Sequence, residues 1–102
     1  MDINALMQQA QQFQGKMKEM QEELAGKQVS STVGGGMVTA TVNGRHQLLK
    51  LTIDPEVINP EDPGMLQDLV VAAVNDAMQQ AQELIGQEMS KLTGGIKIPG
   101  LF

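Results

Sequence analysis

Seven apolar residues near the start of the chain restrict its fold more than any other feature. Ile3, Leu6, Ala10, Phe13, Met17, Met20 and Leu24 step by 3, 4, 3, 4, 3 and 4. That spacing is the unbroken a/d seam of a helix that packs along one side. The opposite face is rich in glutamine: Gln8, Gln9, Gln11, Gln12 and Gln14. Asp2 suits the N-cap, and Gly26 suits the stop. Glu23 and Lys27 stand in the favourable i,i+4 order. Gly15 is a weak point, costing about 1 kcal/mol relative to alanine. The spacing predicts a helix over residues 3–25.

Residues 33–55 change period from helical to alternating. Asn43-Gly44 is a hairpin signal, because both residues tolerate the positive φ of a type I′ turn. A two-residue loop there pairs Val42 with Arg45, Ala40 with Gln47 and Val38 with Leu49. These side chains share a face with Leu51 and Ile53. Met37, Thr39, Thr41, His46, Leu48, Lys50 and Thr52 share the other, mixed face. Gly34-Gly35-Gly36 supplies a bend, and residues 28–33 read as a third, weaker strand. Asp54-Pro55 ends the sheet, since proline cannot donate to a ladder.

Three prolines between 55 and 63 mark a linker with a short turn of helix. Asp62-Pro63 reads as an N-cap followed by proline at the first helical position. A second helix is expected over 63–92. Its seam is Leu66, Leu69, Val70, Ala73, Val74, Ala77, Ala81, Leu84 and, less regularly, Glu88. Val71, Met78, Ile85, Met89 and Leu92 widen the arc. Residues 69–73 are apolar all round, which predicts burial on more than one side. Gly94-Gly95 ends the helix, and residues 94–102 are expected to form a mobile tail containing Pro99-Gly100.

The order helix, three strands, helix predicts a single α+β domain over 1–102, with a three-stranded antiparallel sheet. The two helices would be roughly 35 Å and 43 Å long, against about 26 Å for an eight-residue strand. The helices must therefore overhang the sheet with apolar stripes to spare. A second copy of the chain is the simplest cover, so an intertwined or tweezer-like homodimer is expected. Leu6, Phe13, Met17, Met20, Leu24, Leu69, Ala73 and Leu84 are the expected core and dimer seam.

The chain has no cysteine, so it carries neither disulfides nor thiolate chemistry. It lacks a basic region followed by an apolar run, and no apolar run approaches the ~20 residues that span a bilayer. A soluble cytoplasmic protein without membrane attachment is expected. The net charge of −5 is segregated. Residues 54–90 hold eight acids and no base, whereas residues 28–53 hold Arg45 and Lys50 and no acid. Such asymmetry is a statement about partners rather than fold.

Little points to catalysis. His46 is the single histidine, and Ser30, Ser31 and Ser90 have no base or elbow motif beside them. Gly34-Gly35-Gly36 lacks the lysine and helix of a phosphate loop. Asp68 and Asp76 would stand about 80° and 12 Å apart on a helix, a poor acid–base pair. No residue cluster has metal-ligand spacing, and no metal, cofactor or small-molecule substrate is expected. Met7, Met17, Met20, Met65, Met78 and Met89 read as space-filling side chains, with a Met-rich groove for a partner as the alternative. Asn75-Asp76 is unusual inside a helix. Either one residue is solvated while the other accepts a bond from a neighbouring loop, or a buried Asn75 fixes dimer register.

Several pieces carry a family likeness when taken in order. A Gln/Met-rich first helix leads to Val42-Asn43-Gly44 and Ile53-Asp54-Pro55. Leu66-Gln67-Asp68-Leu69, Ala72-Ala73, Asn75-Asp76-Ala77 and a Gly/Pro tail ending in phenylalanine follow. Together they resemble the YbaB/EbfC family of bacterial nucleoid-associated proteins. The resemblance implies a helix–sheet–helix protomer, a homodimer with projecting helices and duplex DNA binding in the nucleoid. With no aromatic on the sheet and no recognition helix, contacts would go to backbone and shape rather than base edges. The expected phosphate contacts are Lys16, Lys18, Arg45 and Lys50, with Lys91 and Lys97 as further candidates. The rival expectation is a non-enzymatic interaction or chaperone-like dimer that holds a partner along its overhanging Met-rich helices.

Overall fold

The computed structural model describes residues 2–92. The expected Gly94-Gly95 stop, the tail and Lys97 lie outside them. The order is helix α1 (Ile3–Gly26), strands β1 (Gln28–Val33), β2 (Val38–Asn43) and β3 (Leu48–Ile53), a 3-10 turn (Pro55–Val57) and helix α2 (Pro63–Leu92). The strands form one antiparallel sheet in the order β1-β2-β3. Asp2 caps α1 by accepting from the Asn4 amide at 3.0 Å, and Asp62 accepts from the Met65 amide at 3.3 Å at the start of α2. Asp54 accepts from the Glu56 amide at 3.0 Å, closing the 3-10 turn that buries Val57. These caps satisfy amides that a helix start leaves unpaired.

The first half of α2 lies across β1 and β2. Ala73, Ala77 and Ala81 are fully buried there, facing Val38, Ala40 and Val42. Alanines four apart keep one helix face low, so the helix backbone comes close to the sheet. The second half of α2 runs past the sheet and meets α1, where Met20, Leu24 and Met89 form a smaller cluster. The molecule is accordingly elongated, 69 × 23 × 17 Å. The helices overhang the sheet as the length argument required.

One expectation is corrected. The hairpin between β2 and β3 is not closed at Asn43-Gly44 by a type I′ turn. Val38 pairs with Ile53, Ala40 with Leu51 and Thr41 with Lys50, and the register then shifts so that Val42 pairs with Leu48. The loop is longer because Asn43 organises it: its Oδ1 accepts from the Arg45 amide at 2.9 Å and the Gln47 amide at 3.0 Å. The only non-glycine residue with positive φ is His46, at 59°, among the described residues. The shift leaves Leu49 as the extra residue of a bulge and turns Leu48 to the side of Val42.

Within one chain the seam of α1 is buried only at Met20 and Leu24; Ile3, Leu6 and Phe13 are exposed and Met17 is half-buried. Only the last turns of α1 reach another element of the chain. Residues 69–73 are likewise not covered on every side within one chain, since Val71 is 57% exposed. Leu69 and Leu84 are half-buried, and Ala73 is buried as expected. Asn75 is exposed, whereas Asp76 accepts hydrogen bonds from Ser31 and Gln80. The solvated-plus-bonded reading of that pair therefore holds, with a strand in place of the loop.

Candidate nucleic-acid interface

Beyond the sheet, residues 16–24 of α1 lie along residues 84–92 of α2. Apolar side chains close the seam between them: Met17, Met20 and Leu24 from α1, with Leu84, Ile85, Met89 and Leu92 from α2. A cleft flanks the seam on each side. One, of about 240 Å³, is lined by Lys16, Glu19, Met20, Glu23, Glu88, Lys91 and Leu92. The other, of about 310 Å³, is lined by Met17, Met20, Gln21, Leu24, Gly44, Arg45, Ile85 and Met89. The first is charged and the second mostly apolar.

The structure thus brings Lys16 and Lys91 together and separates them from the other expected cations. Lys18 lies about 200° round the helix from Lys16, so it faces away from the charged cleft. Arg45 borders the apolar cleft. Lys50 lies on the outer sheet face, in the row Ser30–Thr41–Lys50. That face carries paired hydroxyls, Ser30 with Thr41 at 2.8 Å and Thr32 with Thr39 at 2.9 Å.

The partner of one cation in this region escaped the sequence reading. Lys27, expected to pair with Glu23, donates instead to Glu88 Oε1 at 2.7 Å, and Lys91 stands 3.4 Å from the same oxygen. Its sequence separation hid the pair, although Glu88 on the apolar seam of α2 was the available signal. The Lys27 hydrogen bond, reinforced by Lys91, holds the Glu88 carboxyl below its ordinary range against the opposing effect of desolvation. Glu88 in turn raises Lys27 above its ordinary value.

Among the described residues no cluster of histidine, cysteine or carboxylates could hold a metal ion, and no helix is long and apolar enough to cross a membrane. No buried side-chain nitrogen or oxygen there lacks a partner. Lys16, Lys18, Lys27 and Lys91 on this projection are interspersed with Glu19, Glu22, Glu23, Glu83 and Glu88, so its ammonium groups are matched by carboxylates.

Comparisons with known proteins bear on the family and the fold. The model of the YbaB/EbfC DNA-binding family matches residues 1–96. A nucleoid-associated protein of Thermoanaerobacter sp. strain X514 is 54% identical over 101 residues, covering 99% of this chain and 91% of that protein. A nucleoid-associated protein of Pelotomaculum thermopropionicum is 48% identical, covering 99% and 96%. The crystal structure of an uncharacterized protein from Helicobacter pylori superposes with a TM-score of 0.83 at 26% identity, over 92% of this chain and 99% of that one.

Proposed function

The chain belongs to the YbaB/EbfC DNA-binding family, and from that premise we propose that it is a non-enzymatic nucleoid protein whose homodimer binds duplex DNA. Contacts go chiefly to phosphates and to duplex shape, with little preference for sequence, and binding alters DNA conformation and gene expression. The observation that carries this reading is the α1–α2 projection, where Lys16 and Lys91 share one cleft and Lys18 stands on the other side of α1. Lysines on a rod reach phosphates without entering a groove to read bases. A second copy fits the uncovered apolar surface: Leu48, Leu49 and Leu51 on β3 and Val71 on α2 are all exposed. A dimer presents two projections and doubles the cations.

Fluorescence anisotropy on three unrelated duplexes over a salt series tests this. Two to four phosphate contacts per protomer give a slope of log K against log salt of about −4 to −7 for the dimer. Replacing Lys16 and Lys18 by glutamine should weaken binding to all three duplexes alike and flatten the slope. Absence of binding at low salt sinks the reading. It would favour the second one, a partner held in the cleft of Met17, Met20, Ile85 and Met89. Strong preference for one duplex would refute backbone-only recognition.

A further inference from the structure

Glu88 lies on the seam face of α2, where an apolar side chain would extend the packing of Leu84, Ile85 and Leu92. Its side chain is only 11% exposed, yet the ammonium groups it binds belong to side chains 43% exposed at Lys27 and 74% at Lys91. A carboxylate therefore sits beneath two lysines that solvent can reach. Both lysines point at the same oxygen, Oε1. Carboxylate and phosphate oxygens accept the same charge-assisted bonds from ammonium groups.

We propose that Glu88 is an intramolecular competitor for DNA phosphate: it occupies the position between Lys27 and Lys91 that a phosphate oxygen takes in the complex, and so sets how tightly the protein binds. The proposal rests on the DNA-binding reading above and adds Lys27 to the contacts. The charges around the cleft decide why Glu88 matters. Lys16, Lys27 and Lys91 face Glu19, Glu23 and Glu88, which leaves the site neutral. Without the Glu88 charge the same site is cationic. Both lysines are partly exposed, so an incoming phosphate can reach their ammonium groups and take over the bonds they make to the carboxylate. Binding is then reduced by the pair it must break, not abolished.

The bridge also ties the end of α1 to α2, and the two roles differ in sign. If Glu88 only braces the helices, E88Q and K27Q break the same pair and move DNA affinity the same way, or not at all. If it competes with phosphate, E88Q tightens binding and K27Q loosens it. The experiment compares wild type, E88Q, K27Q, K91Q and E83Q by anisotropy on one duplex over a salt series, with circular dichroism to establish folding. E83Q controls for a general loss of negative charge on α2. The expected result is that E88Q binds more tightly than E83Q, with a slope steeper by about 0.9 for each lysine released. K27Q and K91Q should bind more weakly, with flatter slopes. E88Q no tighter than E83Q, or shifted the same way as K27Q, overturns the proposal while wild-type binding keeps the DNA reading intact. Should E88Q fail to fold, K91Q decides, because it leaves the Lys27–Glu88 pair in place: binding unchanged in K91Q overturns the proposal. No binding by any of these proteins at low salt removes both readings.

Discussion

Two glycines show how one residue type answers different demands. Gly35 has φ of 68° and open space around it, so its constraint is conformational. Gly44 is not among the positive-φ residues; instead a Cβ built there would lie 2.7 Å from both the Cβ and the carbonyl oxygen of Leu24. Its amide also donates to the Leu24 carbonyl at 2.9 Å. Only a residue without a side chain lets the β2–β3 loop close on the end of α1. Asparagine tolerates positive φ better than alanine does, so the two positions should rank these substitutions oppositely. At Gly35, asparagine should destabilise less than alanine. At Gly44, alanine should cost about 1–3 kcal/mol through overpacking, and asparagine more. Urea denaturation midpoints of the four variants test this. Asparagine better than alanine at Gly44 would restore the type I′ turn that the structure replaces.

At the scale of elements, the weak point is the junction of α1 with α2. The cluster of Met20, Leu24 and Met89 is small, and the ion pair of Lys27 with Glu88 lies at its edge. The pH dependence of that pair follows from its shifts. Glu88 titrates below its ordinary value of 4.5 in the folded chain. Its stabilising effect is therefore complete above 4.5 and is lost as pH falls through the lower, folded value. Lys27 titrates above 10.5, so its effect is complete below that and is lost as pH rises through the higher folded value. Lys91, Glu23, Lys16 and Glu19 are the other charges facing the pair. The stability difference between wild type and E88Q should thus be flat from about pH 6 to about pH 9 and shrink below pH ~4.5. Thermal melts of both proteins across that range measure it. A difference that grows on acidification would contradict the pairing.

For the whole molecule, the question is what covers the apolar surface that one chain leaves open. Leu48, Leu49 and Leu51 lie on a strand exposed from Leu48 to Thr52, and Val71 on α2 is also exposed. The N-terminal half of α1 adds Ile3, Leu6 and Phe13. Contiguous exposed apolar patches mark association sites. Sedimentation at micromolar concentration should give twice the 11.0 kDa chain mass. A charge in the interface, Leu51→Asp, should yield a folded monomer, because Leu51 is already exposed within the chain. A monomeric wild type refutes the dimer, and a dimeric L51D moves its interface away from β3.

Features that depend on local spacing and local chemistry were legible in the chain. The 3,4 steps from Ile3 to Leu24 and the Asp62-Pro63 start fix both helices almost to the residue, since caps and periodicity act within a few positions. The excess of helix over sheet was legible too, because element lengths follow from residue counts. Lys16, Lys18, Arg45, Lys50 and Lys91 could be identified as cations, but their arrangement could not. Long-range packing decided that Lys16 and Lys91 share a cleft while Arg45 and Lys50 lie elsewhere. It likewise decided the β2–β3 register, where contact with α1 and the Asn43 side chain override the preferred turn, and the pairing of Lys27 with Glu88. Each of these depends on where the end of α1 meets elements distant in the chain, and a contact between distant segments leaves no period in the sequence between them.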